Sequence, residues 1–407
     1  MINSLYTTTA FTSRGVIKDA VIRIYEGRIV DVIPYKSMGG ETVDLDRNGL
    51  IALPGFIDAH VHLNEPGRSH WEGIAKGTSK ALLGGTTTVL DMPIDSSPPT
   101  LSEEDVFEKL SLFDSKSQTN YGVFAGVVPT RLHEMKRAWK AGAIAFKGFL
   151  SPTGWDDFAP LDHDSLLQAL STVKDLGATL ALHAEDPICF EQRGSEVIRT
   201  PRSELCAVQK AIDGATLTGA IIHLVHLSTS EAVELAQSQA NVTTETCPHY
   251  FLEDRLLKEF DWYDISVQPP VRDNVQRSRL RDLVAKGNVD VIASDHSPSP
   301  PLSDEFSGTW AGTEGIGKTV LALLRQYNDP ALVAQYIQQS AKAFAIKNRG
   351  DIRPGNFADL ITVEHQSTGA WRVVDVIIGG TVVVSEGSIV DRAVVDNVAL
   401  SSERLKK

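Results

Sequence analysis

His60-Val61-His62 sets two imidazoles two residues apart at the end of the apolar run Pro54-Gly55-Phe56-Ile57-Asp58-Ala59. Side chains at i and i+2 share one face of a strand, so both rings can reach one metal ion. Four further residues suit the same chemistry. Lys147 interrupts Ala145-Phe146-Lys147-Gly148-Phe149, where an unmodified ammonium is costly to bury. His183 follows Ala181-Leu182, His226 follows Leu224-Val225, and Asp295 follows Ala293-Ser294. Each has a bland reading when taken singly. His183 could be a satisfied core histidine, Lys147 could snorkel to the surface, and Asp295 could cap a turn. An isolated HxH pair is weak evidence as well.

Their positions along the chain change the balance. Apolar runs at 55–62, 86–91, 122–128, 143–149, 179–183, 221–226, 242–245 and 289–294 read as strands. Segments such as 71–83 and 164–176, with helically spaced apolar residues, lie between them. Eight such alternations over roughly 250 residues predict an α/β fold of the (β/α)₈ TIM-barrel type. An open doubly wound sheet competes, but no GxGxxG follows the first central strand. All six candidates then fall at the carboxyl ends of strands, the face on which barrels build active sites.

The two chain ends have a different texture. Val21-Ile22-Arg23-Ile24-Tyr25, the turn Glu26-Gly27-Arg28 and Ile29-Val30-Asp31-Val32-Ile33 read as a hairpin. Ala358-Asp359-Leu360-Ile361-Thr362-Val363, Val374–Ile378 and Thr381-Val382-Val383-Val384, with a turn at Gly379-Gly380, are equally β-rich. The expectation is a barrel over 52–345 and a small β-sandwich domain assembled from 1–51 and 346–407.

Composition narrows the class. Lys plus Arg number 39 against 52 Asp plus Glu, a net charge of -13. That argues against a nucleic-acid or anionic-membrane binder, which needs a basic footprint. No apolar stretch reaches bilayer-spanning length. Met1-Ile2-Asn3-Ser4 does not begin a basic region followed by an apolar run, so no signal peptide is expected. Cys189, Cys206 and Cys247 are widely spaced and form no CxxC, so a disulfide scaffold is not expected and a reducing, cytoplasmic setting fits.

The mechanism follows from the donors. Two divalent ions take roughly six to eight ligands. His60, His62, His183, His226 and Asp295 supply five, and Lys147 carboxylated by carbon dioxide becomes a carboxylate able to bridge both ions. A hydroxide held between two ions is a strong nucleophile near neutral pH. Asp295 could bind metal and carry the proton to a leaving nitrogen. The expected reaction class is metal-assisted hydrolysis of an amide-type bond. Zinc suits the donors, as do iron, cobalt, nickel and manganese.

At these residues the chain resembles the amidohydrolase superfamily and, within it, the cyclic-amide hydrolases. Pro54-Gly55-Phe56-Ile57-Asp58-Ala59-His60-Val61-His62 is similar to the superfamily's opening motif, and the contexts of the other four candidates fall in its order. The resemblance implies two divalent ions, one on His60, His62 and Asp295, the other on His183 and His226, with a carboxylated Lys147 between them. Finer segments resemble those of the allantoinases. These are His62-Leu63-Asn64-Glu65-Pro66-Gly67-Arg68-Ser69-His70-Trp71-Glu72-Gly73, Asp91-Met92-Pro93-Ile94 and Thr246-Cys247-Pro248-His249-Tyr250. Ser294-Asp295-His296-Ser297-Pro298-Ser299-Pro300-Pro301 and Trp310-Ala311-Gly312 complete the set.

That resemblance implies a small cyclic-amide substrate, allantoin, opened to allantoate. Dihydroorotases usually carry an arginine where Asn64 stands, and dihydropyrimidinases and hydantoinases lack the Glu65-Pro66-Gly67-Arg68 continuation. Those enzymes, and non-catalytic relatives that lose ligands, are the alternatives; a homo-oligomeric state is left open. Three positions depart from the allantoinase pattern. Gly148 stands in place of a usual Cys, Asp95 of a usual Asn, and Gln268 of a Ser before Pro269-Pro270. Asn64, Arg68, Asp95, Gln268 and Ser297 are the expected substrate contacts, with Arg68 alternatively pairing Glu65 or Glu72. His249 is expected to support its loop, and His296 to support rather than ligate. His70, His133, His163 and His365 are expected on the surface, and Cys247 is not expected to act as a nucleophile.

Overall fold

Residues 1–40, 42–298 and 311–399 are described by the structure, a computed structural model. Ser299, Pro300, Pro301 and Trp310, which belong to motifs read above, lie outside the described residues. The chain opens with β1 (Ser4–Thr12), β2 (Gly15–Tyr25), β3 (Arg28–Pro34) and β4 (Leu45–Pro54). Strands β2 and β3 form the expected hairpin, with Arg23 opposite Asp31. Glu26 and Gly27 both take positive φ, 48° and 74°, the backbone that a tight two-residue hairpin turn requires.

The central strands are β5 (Phe56–Val61), β6 (Thr86–Asp91), β7 (Asn120–Gly126), β8 (Ala145–Phe149) and β9 (Thr179–His183). A short exposed hairpin, β10 (Glu191–Arg193) and β11 (Glu196–Ile198), interrupts the series. Then come β12 (Ile221–Leu224), β13 (Val242–Thr246) and β14 (Val291–Ile292). The eight central strands pair in parallel in the order β14-β13-β12-β9-β8-β7-β6-β5. A parallel bridge between Val61 and His296, with His62 N–H donating to His296 O at 2.7 Å, brings the first and last strands together. The barrel reading holds and the open-sheet alternative falls.

Helices α1 (Ile74–Leu83), α2 (Glu103–Lys116), α3 (Met135–Ala141), α4 (His163–Leu176), α5 (Pro201–Thr218) and α6 (Ser230–Gln237) cover the barrel, followed by α7 (Asp254–Glu259), α8 (Asn274–Ala285), α9 (Thr319–Tyr327) and α10 (Pro330–Ala343). Their starts are written locally. Ser102 caps α2 by accepting from Asp105 N–H, and Asp162 caps α4 by accepting from Ser165 N–H at 2.9 Å. The helix expected from residue 71 begins only at Ile74. Gly73, at φ 86°, breaks the helical backbone, and the buried Glu65 carboxylate accepts the Ile74 N–H at 3.1 Å.

The last strands are β15 (Leu360–His365), β16 (Trp371–Ile378), β17 (Thr381–Ser385) and β18 (Ser388–Ile389). They join β1–β4 in one eight-stranded sheet, ordered β18-β17-β16-β15-β4-β1-β2-β3, antiparallel except between β1 and β4. The two chain ends therefore do meet, through the antiparallel pairing of β15 with β4. Strand alternation gives the sheet two apolar faces. Leu360 and Ile377 pack with Leu5, Ile22 and Ala52, whereas Ile361, Val376 and Ile378 join the core of the barrel.

One expectation is corrected. Cys189 and Cys206 form a disulfide, with Cα atoms 6.8 Å apart. Sequence spacing hid the pair because β10 and β11 fold the intervening chain back on itself. Cys247 is a buried thiol. Among the described residues no helix is long and apolar enough to cross a membrane.

Candidate metal-centred active site

A cavity of about 510 Å³ opens at the carboxyl ends of the central strands, and His60, His62, Lys147, His183, His226 and Asp295 all line it. Each is almost fully buried. His60 Nε2 lies 3.3 Å from Asp295 Oδ1, and His62 Nε2 lies 3.7 Å from the same oxygen. These three residues bring one donor atom each to within 4.8 Å of one another. On the other side His183 Nδ1 faces His226 Nε2 at 3.1 Å.

Burial, and then the nearby positive groups, lower the pKa of His226; burial lowers that of His60 and His183 as well. Burial thus disfavours protonation of these rings, and the neutral imidazole is the form that ligates metal. His62 shifts the other way, to about 9: burial opposes its protonation, but the Asp295 and Asp95 carboxylates outweigh it. A divalent cation is the natural replacement for that proton. Burial raises the pKa of Asp295, yet the three imidazoles around it hold the carboxyl well below the usual range, so it is ionised at neutral pH.

Lys147 sits on β8 with no carboxylate within ion-pair distance among the described residues. Its Nζ lies 5.0 Å from the centre of the Phe149 ring, which in turn stacks on His183 with centroids 5.1 Å apart. Burial lowers its pKa to about 8. A neutral amine is the reactive form toward carbon dioxide, so this environment fits carboxylation. Four imidazoles, a carboxylate and such a lysine fit a pair of divalent ions.

The backbone is shaped to aim these groups. Asn64, Asp95, His226 and Asp295 all have positive φ, between 43° and 68°. For residues other than glycine such conformations cost energy and cluster at functional sites. The strand expected over 221–226 stops at Leu224 because His226 turns away, its N–H taken by Glu245 Oε1 at 3.2 Å. The strand expected over 289–294 shrinks to Val291–Ile292 because the Ser294 N–H is satisfied by Asp58 Oδ1 at 2.9 Å instead of by a strand.

Carboxylates missed in the sequence hold the rings. Glu245, fully buried on β13, accepts from His60 Nδ1 at 2.8 Å and contacts His223 Nε2 at 3.2 Å. Burial raises its pKa, but His60 and His223 bring it down to about 2. Glu185 lies 2.9 Å from His183 Nε2. Each carboxylate fixes the tautomer that turns the other ring nitrogen toward the centre. The available signal was an acidic residue two positions after His183 and another at a strand end; neither spacing is distinctive. Glu245→Gln is expected to lower metal affinity or kcat about 10- to 100-fold. Metal titration of the purified variant checks this, and unchanged affinity and turnover would remove Glu245 from that role.

The expected substrate contacts divide. Asp95, Gln268 and Ser297 line the cavity. Asp95 also lies 2.9 Å from His62 Nδ1 and accepts from Trp155 Nε1 at 2.9 Å. Asn64 and Arg68 do not line it, and this is a correction. Asn64 is buried behind Asp95, its Nδ2 3.5 Å from the Asp95 carbonyl. Arg68 pairs with neither Glu65 nor Glu72: it donates to Ser96 O at 2.7 Å and lies under the Trp155 ring at 4.1 Å. Both residues brace the cavity wall. Trp155, Phe149 and Arg199 are lining residues the sequence reading did not single out.

Gly148 also finds an explanation, since a Cβ there would lie 2.8 Å from Leu161 Cδ1, whose side chain fills the space. His249 is buried beside Tyr250 and Trp262 and does not line the cavity. His296 pairs with Glu72, while His70, His133, His163 and His365 are exposed.

A parallel barrel with histidines, a lysine and an aspartate gathered at its carboxyl face defines a hydrolase of the metal-dependent barrel class. Residues 51–383 match the amidohydrolase family, and the chain belongs to that family. An allantoinase of Deinococcus radiodurans is 37% identical over 78% of this chain and 77% of its own. Allantoinases of Bacillus velezensis and Rubrobacter xylanophilus are each 33% identical, over 87% and 89% of this chain and 83% and 85% of theirs. Among solved structures, L-hydantoinase from Arthrobacter aurescens superposes with a TM-score of 0.84, covering 98% of this chain and 99% of that one at 20% identity. At that identity the likeness speaks for the fold. Family membership, together with the His60, His62 and Asp295 group, implies divalent-metal use.

Proposed function

We propose that the protein is a metal-dependent cyclic amidohydrolase, specifically an allantoinase that opens the hydantoin ring of allantoin to allantoate. One observation carries the chemistry: His60 Nε2, His62 Nε2 and Asp295 Oδ1 converge beside the facing nitrogens of His183 and His226, in a cavity sized for a small molecule. The substrate choice is supported by the three relatives named allantoinase, all covering most of this chain.

Two divalent ions, zinc in our reading, supply an acidified water and a Lewis acid for the ring carbonyl. His60, His62 and Asp295 would hold one ion and His183 and His226 the other, with Lys147, carboxylated by carbon dioxide, shared between them. That modification forms an N–C bond at Nζ and releases a proton to solvent. In the hydrolysis the water oxygen bonds to the ring carbonyl carbon and the ring C–N bond breaks. Asp295, already ionised, accepts the water proton and returns it to the departing nitrogen. Asp95, Gln268 and Ser297 face the ring from the cavity wall.

An allantoin-hydrolysis assay with metal analysis on the same sample tests this. Turnover with stoichiometric divalent metal is expected. Hydrolysis of 5-monosubstituted hydantoins or dihydrouracil without allantoin would reassign the enzyme. A metal-free protein that stays inactive after metal and bicarbonate are supplied would make it a non-catalytic relative.

A further inference from the structure

Arg199 reaches the cavity, yet no step of the hydrolysis above uses it. Its Nη1 donates to Glu185 Oε2 at 2.6 Å, and that oxygen lies 2.9 Å from His183 Nε2. Among the described residues Glu185 is the only hydrogen-bond acceptor of its side chain. Two contacts and the nearby start of a helix hold the residue in place. Its carbonyl accepts from Arg272 Nη1 at 2.5 Å, its guanidinium lies 4.9 Å from the centre of the Phe190 ring, and Pro201 starts α5 two residues later. The Cys189–Cys206 disulfide closes the whole exposed arm, β10 and β11 included, on which Arg199 is carried.

The charge arithmetic of this pair is informative. Glu185, fully buried, already neutralises the guanidinium. The remaining N–H donors form a planar fork without a net local charge to attract a carboxylate. Such a group suits a neutral carbonyl oxygen that accepts two hydrogen bonds. Asp95, also on the wall, is an acceptor already engaged by His62 and Trp155.

Resting on the allantoinase reading, we propose that Arg199 is a specificity-determining residue that binds the exocyclic ureido carbonyl of the substrate. It would thereby favour ureido-substituted hydantoins over the bare ring.

The test compares wild type, Arg199→Gln and Arg199→Lys in kcat, KM and metal content. Allantoin is the substrate, and unsubstituted hydantoin is measured as a substrate or as a competitor of allantoin. Arg199→Gln is expected to raise the KM for allantoin about 10- to 100-fold, the scale of one lost charged hydrogen bond. Its affinity for hydantoin and its metal content should stay as in wild type, and Arg199→Lys should recover part of the loss. An unchanged KM for allantoin overturns the proposal. So does an equal loss on both ligands or a parallel loss of metal, either of which would mark a purely structural role through Glu185. Should Arg199→Gln not fold, the same ratio of allantoin to hydantoin loss is read from Arg199→Lys, smaller but in the same direction. A wild-type enzyme inactive on allantoin would instead strike down the reading on which this rests.

Discussion

Lys147→Ala is expected to abolish turnover, with kcat falling at least about 10³-fold, as for removal of a main electrostatic element from a reacting centre. Lys147 is buried on β8 with no carboxylate partner among the described residues, so it contributes little as an ion pair. Its depressed pKa, about 8, leaves a substantial neutral fraction in mildly alkaline solution. In the proposed centre its carboxylated form would supply the one donor that both halves of the site can share. Removing it should therefore lower bound metal as well as rate, and metal analysis of the folded variant separates this from a loss of structure. A Lys147→Ala protein with full activity would refute the two-ion centre outright. The wild-type lysine should also carry the added mass of a carboxyl group when prepared with bicarbonate and examined without acid.

Asp295→Asn should lower kcat about 10²- to 10⁴-fold while leaving the KM for allantoin within a few-fold of wild type, the range for loss of a positioned proton acceptor. The substitution keeps the shape of the side chain, so the left-handed backbone at this position is not further strained. What it removes is the basic oxygen, 3.3 Å from His60 Nε2 and 3.7 Å from His62 Nε2. The sign of the pH effect follows from the same contacts. Because the imidazoles outweigh burial and hold this carboxyl far below its ordinary pKa, Asp295 stays ionised as pH falls through the usual carboxylate range. Any loss of activity between pH 7 and 5 should then come from other groups. Steady-state kinetics across that window check both statements; an Asp295→Asn enzyme with an unchanged kcat would take the proton transfer away from this residue.

The six residues that the fold gathers at the cavity stand out in the sequence because each is chemically out of place in or beside an apolar run. A lysine within Ala145-Phe146-Lys147-Gly148-Phe149 or a histidine after Ala181-Leu182 needs a reason, and period-two alternation with strand ends supplies the geometry. Strand β14 and the start of α1 were misplaced for the opposite reason. Their boundaries depend on which buried carboxylate accepts a backbone N–H, Asp58 for Ser294 and Glu65 for Ile74, and neither partner is adjacent in sequence. Arg68 and Asn64 are expected at the substrate from the resemblance of the motif that follows His62. The turn after β5 sends them behind Asp95 and Trp155 instead.

From the sequence alone the class of reaction, the barrel and the meeting of the two chain ends could be read, since these depend on local periodicity and on residue types that resist burial. Tertiary structure decided the rest. It brought Glu245 from β13 to His60 on β5, and Glu185 to both His183 and Arg199. It also joined Cys189 to Cys206 across a folded arm. These contacts set the direction in which the His60 and His183 rings point and hold Arg199 at the cavity wall. Apart from His183 and Glu185, which lie two residues apart, they join residues whose separation along the chain carries no periodic signal, so only the folded chain could disclose them.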